Sequence, residues 1–185
     1  AANAPRELID WHYDQVDAAL LEGRVAMAAA WPGGYGAIRR SSQYAHLAPH
    51  PYPAGPHGRF TYSGAHAWAI PRTCADVARA LDLLQLLAGA EAARLELANG
   101  GVPAHAAVFE SAVPLDATDA RRLALTREAI EHQMTADPPR ASFPAVEDAG
   151  WHAIRNALLG GCTPAEAVRR IQRDAEQALR ALERP

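Results

Sequence analysis

From Trp31 to Gly58 the chain is punctuated by proline and glycine, most densely in "HLAPHPYPAGPHG". Proline lacks the backbone donor that helices and ladders need, and glycine gives up the restriction that favours either one. The segment therefore predicts loop, with at most a short strand around Tyr44 to Ala48. Regular structure has to come from the sequence on either side, and there the dominant pattern is helical.

On the N-terminal side, "DWHYDQVDAALLEGR" sets Val16, Leu20 and Leu21 at helical spacing and stops on Gly23. The apolar run Val25 to Ala30 predicts a short buried strand after it. On the other side, "TYSGAHAWAIP" alternates and predicts a strand halted by Pro71. A helix starting at Thr73 should carry Val77, Leu81, Leu84 and Leu87 on a core face and close at Gly89. Further helices are predicted over Ala90 to Ala98, closing at "NGG", then over Asp116 to Ala136, Val146 to Leu159 and Thr163 to Leu182. Thr163, Pro164 and Glu166 spell the clearest start signal: a capping threonine, a proline in the first turn, and an acid placed to complete a capping box. Few strands among many helices make the fold class α/β, helix-rich.

Composition excludes several functions. The 185 residues are 49% hydrophobic, enough to build a core of ordinary size. Net charge is −3, and the 18 basic residues, all arginine, are spread without a dense run. Nucleic acid would need a concentrated basic face, so no nucleic-acid partner is expected. No apolar run approaches the roughly 20 residues that span a bilayer. The N-terminal segment has neither the basic start nor the apolar stretch of a signal peptide, and no initiator Met, so a processed product or a piece of something longer is expected. Cys74 and Cys162 permit a disulfide, and nothing requires one. His46, His50, His57 and His66 are irregularly spaced and fit no zinc pattern, so neither metal nor cofactor is expected. There is no phosphate-binding glycine loop, dinucleotide fingerprint or nucleophile elbow.

Three stretches, 19–34 ("ALLEGRVAMAAAWPGG"), 61–104 ("TYSGAHAWAIP" through "NGGVPA") and 138–179 ("PPRASFP" through "RIQRDAEQAL"), follow one another in an order and spacing that resembles the C-terminal half of the family 1 extracellular solute-binding proteins, the sugar-capturing subunits of ABC importers. The resemblance implies part of a type II periplasmic-binding-protein fold with most of the N-terminal lobe missing. Residues 1–58 and 107–185 would then belong to the second lobe and 59–106 would cross into the first. It implies an extracytoplasmic, membrane-anchored setting and no enzymatic activity. The implied partners are a mono- or oligosaccharide or polyol, the permease subunits, and a missing N-terminal half or a swapped neighbouring chain. Without that half, weak or absent ligand binding is expected.

A sugar has flat apolar C–H faces rimmed by hydroxyls, so its site needs aromatic plates and fixed polar groups. Trp31, at the end of the Val25–Ala30 segment with glycines behind it, meets the first need, and the resemblance puts its loop in the cleft. Tyr35 follows closely. Gly64 and His66 lie on the segment implied to run along the cleft's hinge side. Trp151 begins the aromatic-bearing helix, and Arg140 is placed to contact an anionic ligand or bridge the lobes. Two other readings stay open: a small hydrolase-like enzyme using Ser63 and His66, and an interaction module presenting the helices of residues 116–182.

Overall fold

The computed structural model describes residues 4–64, 66–136 and 141–182. They form two bodies, Tyr13–Thr135 and the pair of segments Ala1–His12 and Ala136–Pro185.

The larger body opens with α1 (Tyr13–Leu21), whose Ala19 and Leu20 are buried. Gly23, at φ +71°, turns the chain so that the amides of Arg24 and Val25 donate back to the Ala19 carbonyl, closing the helix. A 3-10 turn, Pro32–Gly34, leads into α2 (Tyr35–Arg40). After the proline-rich loop come β1 (Thr61–Ser63), α3 (Val77–Ala88), α4 (Ala90–Ala98), α5 (Ala106–Glu110) and α6 (Ala117–His132). The chain then enters β2 (Met134–Ala136), which pairs with β1 in a two-stranded sheet. The core gathers Ala19, Leu20, Tyr35, Ala93, Val108, Phe109 and Leu123.

The smaller body is a helical hairpin, α7 (Phe143–Leu158) and α8 (Pro164–Leu182), closed on Ala153 and Ala167. Small residues at the contact let the two backbones approach closely. Arg155 reaches Asp10, in the 3-10 turn Arg6–Asp10, at 3.0 Å. The capping signal at Thr163 is realised in full. The Glu166 amide donates to the Thr163 hydroxyl, and the Glu166 carboxylate accepts from the Thr163 amide and hydroxyl, each at 2.8 Å.

These bonds, the Thr163 amide first and its hydroxyl second, hold the Glu166 carboxyl below its ordinary range. A depressed carboxyl lends stability that is present above its unfolded-state pKa and lost as the pH falls through the folded-state value. Thr163→Ala is expected to cost about 1 kcal/mol and to flatten this acid limb. Thermal melts at neutral and acid pH would show both effects; identical melts for variant and parent would mean that the cap holds nothing.

Several elements differ from their sequence expectation. Val25 to Ala30 runs without a ladder partner, and Met27 is 88% exposed, so the expected buried strand is absent. Apolar content does not make a strand unless another strand takes its backbone groups. Tyr44 to Ala48 instead holds a 3-10 turn, Tyr44–His46, because the Ser41 hydroxyl and carbonyl take the amides of Gln43 and Tyr44 and wind the chain. The strand predicted through Ile70 pairs only over Thr61–Ser63, since β2 supplies three residues. Asp76, not Thr73, caps α3, accepting from the Arg79 amide at 3.0 Å. The expected core face of α3 is not buried; Val77, Leu81 and Leu87 are exposed, and Leu84 is half-buried. Both cysteines are free thiols.

Candidate functional site

In the larger body, an open groove of about 280 Å³ is lined by four aromatic side chains, Trp31, Tyr52, Phe60 and Tyr62, together with Thr61 and the small residues Ala29 and Ala30. Three local devices assemble it. Trp31 caps the Pro32–Gly34 turn in extended conformation, with the Gly34 amide closing on the Trp31 carbonyl at 3.0 Å. Proline at the first position has no amide to leave unpaired there. Tyr52 and Phe60 are brought to the same place by a reversal in which Gly55 and Gly58 exchange both backbone bonds, at 2.8 and 3.2 Å. Gly58 takes φ +114°, open to glycine and strained for other residues. The Arg59 Nε donates to the Tyr52 carbonyl across that reversal. Finally, β1 carries Thr61 and Tyr62, with the Thr61 amide bonded to the Gln133 carbonyl at 2.9 Å.

Trp31 and Tyr62 meet edge to face, ring centroids 5.7 Å apart and planes at 90°. Such a pair forms a corner: one plate to stack on and one wall. Trp31 is 51% exposed and Phe60 62%, so these rings are presented to solvent rather than consumed in a core. Gly64 sets the Tyr62 ring. A Cβ there would sit 2.3 Å from the Tyr62 Cε1 and 3.0 Å from its hydroxyl. Since the obstacle is a side chain on an exposed strand end, the ring and not the backbone would give way. Gly64→Ala is expected to leave stability within about 0.5 kcal/mol while abolishing nuclear Overhauser contacts between the Tyr62 and Trp31 rings. Persistence of those contacts would show that the glycine does not position the ring.

Behind Trp31 the loop is anchored by a polar network. Tyr35 is buried, and the Arg122 guanidinium lies over its ring, 4.3 Å from the centroid. The Tyr44 hydroxyl lies 2.8 Å from both Asp116 carboxylate oxygens and 2.9 Å from the Tyr35 hydroxyl. An ionised carboxylate only accepts, so Tyr44 donates to Asp116, and Tyr35 donates to Tyr44. Desolvation, the bond from Tyr35 and the adjacent Asp116 carboxylate push the Tyr44 phenol well above its ordinary range. The Asp119 amide and then the Tyr44 hydroxyl hold the Asp116 carboxyl down. Asp119 in turn pairs with Arg122 at 2.9 Å, and both side chains are buried. The Trp31 loop thus runs into a helix whose first residue, Tyr35, is held by this network.

The candidates read from sequence are dispersed. Trp31 lines the groove; Tyr35 stands behind it in the core; Gly64 lies beside it under Tyr62. His66 is exposed on the segment after β1 and does not line it. Trp151 is in the smaller body, 47% exposed, its ring stacked on His152. Arg140 falls outside the described residues. Among the described residues no hydrogen bond joins Ser63 to His66, and no group of three or more His, Cys, Asp or Glu side chains converges as a metal site would require. Tyr52, Phe60 and Tyr62 went unread in the sequence. The available signal was three aromatics interleaved with proline and glycine over residues 52–62.

No helix among the described residues is long and apolar enough to cross a membrane. No curated protein matches the chain. A family match, however, covers residues 4–120, which include every residue lining the groove and the first two stretches of the resemblance but not the third. That family works outside the cytoplasm, binding solutes for uptake. With more than half its length so matched, the chain belongs to the bacterial extracellular solute-binding proteins.

Proposed function

We propose that the chain binds a carbohydrate in the aromatic groove and serves an ABC importer, delivering its ligand to membrane permease subunits from a membrane-anchored position. The observation that carries this reading is the convergence of Trp31, Tyr52, Phe60 and Tyr62 on one open groove within the family-matched span. Aromatic faces suit the C–H face of a sugar ring, and the Thr61 and tyrosine hydroxyls suit its rim. In the type II fold this reading carries, Trp31 and Tyr52 come from the 1–58 segment and Phe60, Thr61 and Tyr62 from the 59–106 segment. A ligand here touches both, which is what lets it favour a closed state over an open one. Binding is reversible capture, with no bond made or broken.

Saturation-transfer NMR on the full chain, with a panel of monosaccharides, disaccharides and polyols, tests this. Transfer to ligand C–H protons is expected even at dissociation constants on the order of 1 mM. In Trp31→Ala it should fall at least about tenfold, the loss of one aromatic plate. Absence of transfer from every member, or transfer indifferent to Trp31→Ala, would overturn the assignment.

A further inference from the structure

Among the described residues, no charged side chain lines the groove, although the chain carries charge on 21% of its residues. The cation nearest in sequence to the lining, Arg59, donates its Nε to the Tyr52 carbonyl and is not itself part of the lining. His66, two residues past Gly64, is exposed and not part of the lining. The polar side chains in the lining are the hydroxyl-bearing Thr61, Tyr52 and Tyr62, and hydroxyls exchange hydrogen bonds with hydroxyls without supplying charge.

We infer that the groove selects an uncharged pyranoside and discriminates against phosphorylated or carboxylated sugars and against open-chain polyols. This rests on the reading of the groove as a carbohydrate site and adds its ligand class. A phosphate or carboxylate brought against four aromatic rings loses hydration with no guanidinium or ammonium in the lining to replace it. The perpendicular arrangement of Trp31 and Tyr62 supplies the second filter. A pyranose in its chair has a flat C–H face for one ring of the corner and an edge for the other. An acyclic polyol has to freeze several rotors to imitate that face, which costs conformational entropy the ring has already lost in its synthesis.

The test is a saturation-transfer competition on the full chain with methyl glucopyranoside, glucose 6-phosphate, glucuronate and mannitol at equal concentrations. Methyl glucopyranoside should bind at least about tenfold more tightly than each of the other three. In Thr61→Arg, which brings a cation to the groove wall, glucose 6-phosphate should gain at least about tenfold. Comparable binding of glucose 6-phosphate, glucuronate or mannitol, lost in Trp31→Ala, would leave the carbohydrate site standing and overturn the selectivity. Anion binding that is lost in Arg59→Gln would overturn it too, by identifying a cation that serves the site. If none of the four binds, the carbohydrate reading and the selectivity fall together.

Discussion

Arg122→Ala is expected to destabilise the larger body by about 3–5 kcal/mol, the range for removing one partner of a buried ion pair. Arg122 and Asp119 are both buried, 8% and 4% exposed, and lie 2.9 Å apart. Truncating the arginine strands the Asp119 carboxylate in the interior with, among the described residues, one remaining hydrogen bond, from the Leu115 amide at 3.0 Å. It also takes the guanidinium from the Tyr35 ring and from the Gly100 carbonyl, 3.4 Å from Nη1. Lysine would not substitute, because a single ammonium cannot serve the carboxylate, the carbonyl and the ring face as a planar fork does. Urea denaturation with an unchanged slope measures the loss. The double variant Asp119→Asn/Arg122→Met should recover part of it, since the main penalty is the orphaned charge and not the missing attraction. A single variant within 1 kcal/mol of the parent would show that the pair is not buried in solution.

Gly36→Ala carries the second large effect. Gly36 lies in α2 where that helix meets the end of α4, and a Cβ there would stand 2.3 Å from the Asn99 carbonyl oxygen. The carbonyl cannot retreat cheaply. Its residue is held by hydrogen bonds that the Asn99 amide donates to the Leu95 and Glu96 carbonyls, and the next residue, Gly100, sits at φ +93° with the Tyr35 ring and the Gly36 amide against it. Alanine would gain about 1 kcal/mol of helix propensity over glycine. Overpacking against backbone costs typically 1–3 kcal/mol and occasionally more, so with a contact this short the clash wins and a net loss of about 2 kcal/mol is expected. Gly33→Ala is the control: nothing lies within 4 Å of a Cβ there, and the melting curve should not move. Since α2 begins four residues after Trp31, loosening it should also broaden the Trp31 resonances. A neutral Gly36→Ala would mean that α2 and the α4 terminus do not meet as described.

The helices that could be read from the sequence were those whose signals are local. Thr163, Pro164 and Glu166 determine the start of α8 through bonds spanning three residues, and the structure has those bonds. Ala90–Ala98 closes at "NGG" because Gly100 can take a positive φ and Gly101 can then donate back to the Glu96 carbonyl. Gly23 ends α1 by the same chemistry. The alternation in "TYSGAHAWAIP" was equally visible, but a strand is completed only by its neighbour, and β2 lies more than 70 residues away and offers three residues.

The site divides along the same line. That Trp31 leaves a loop with its ring presented is legible in "AWPGG", because proline and glycine act on their own backbone. That Tyr35, four residues on, faces inward was decided by Arg122 and Gly100, both far away in sequence. That Tyr52, Phe60 and Tyr62 join Trp31 was decided by the Gly55–Gly58 reversal and by the pairing of β1 with β2. Caps, stops and turns depend on atoms a few bonds apart and are therefore written locally. A groove needs rings from distant segments to converge, and only the folded backbone sets those distances.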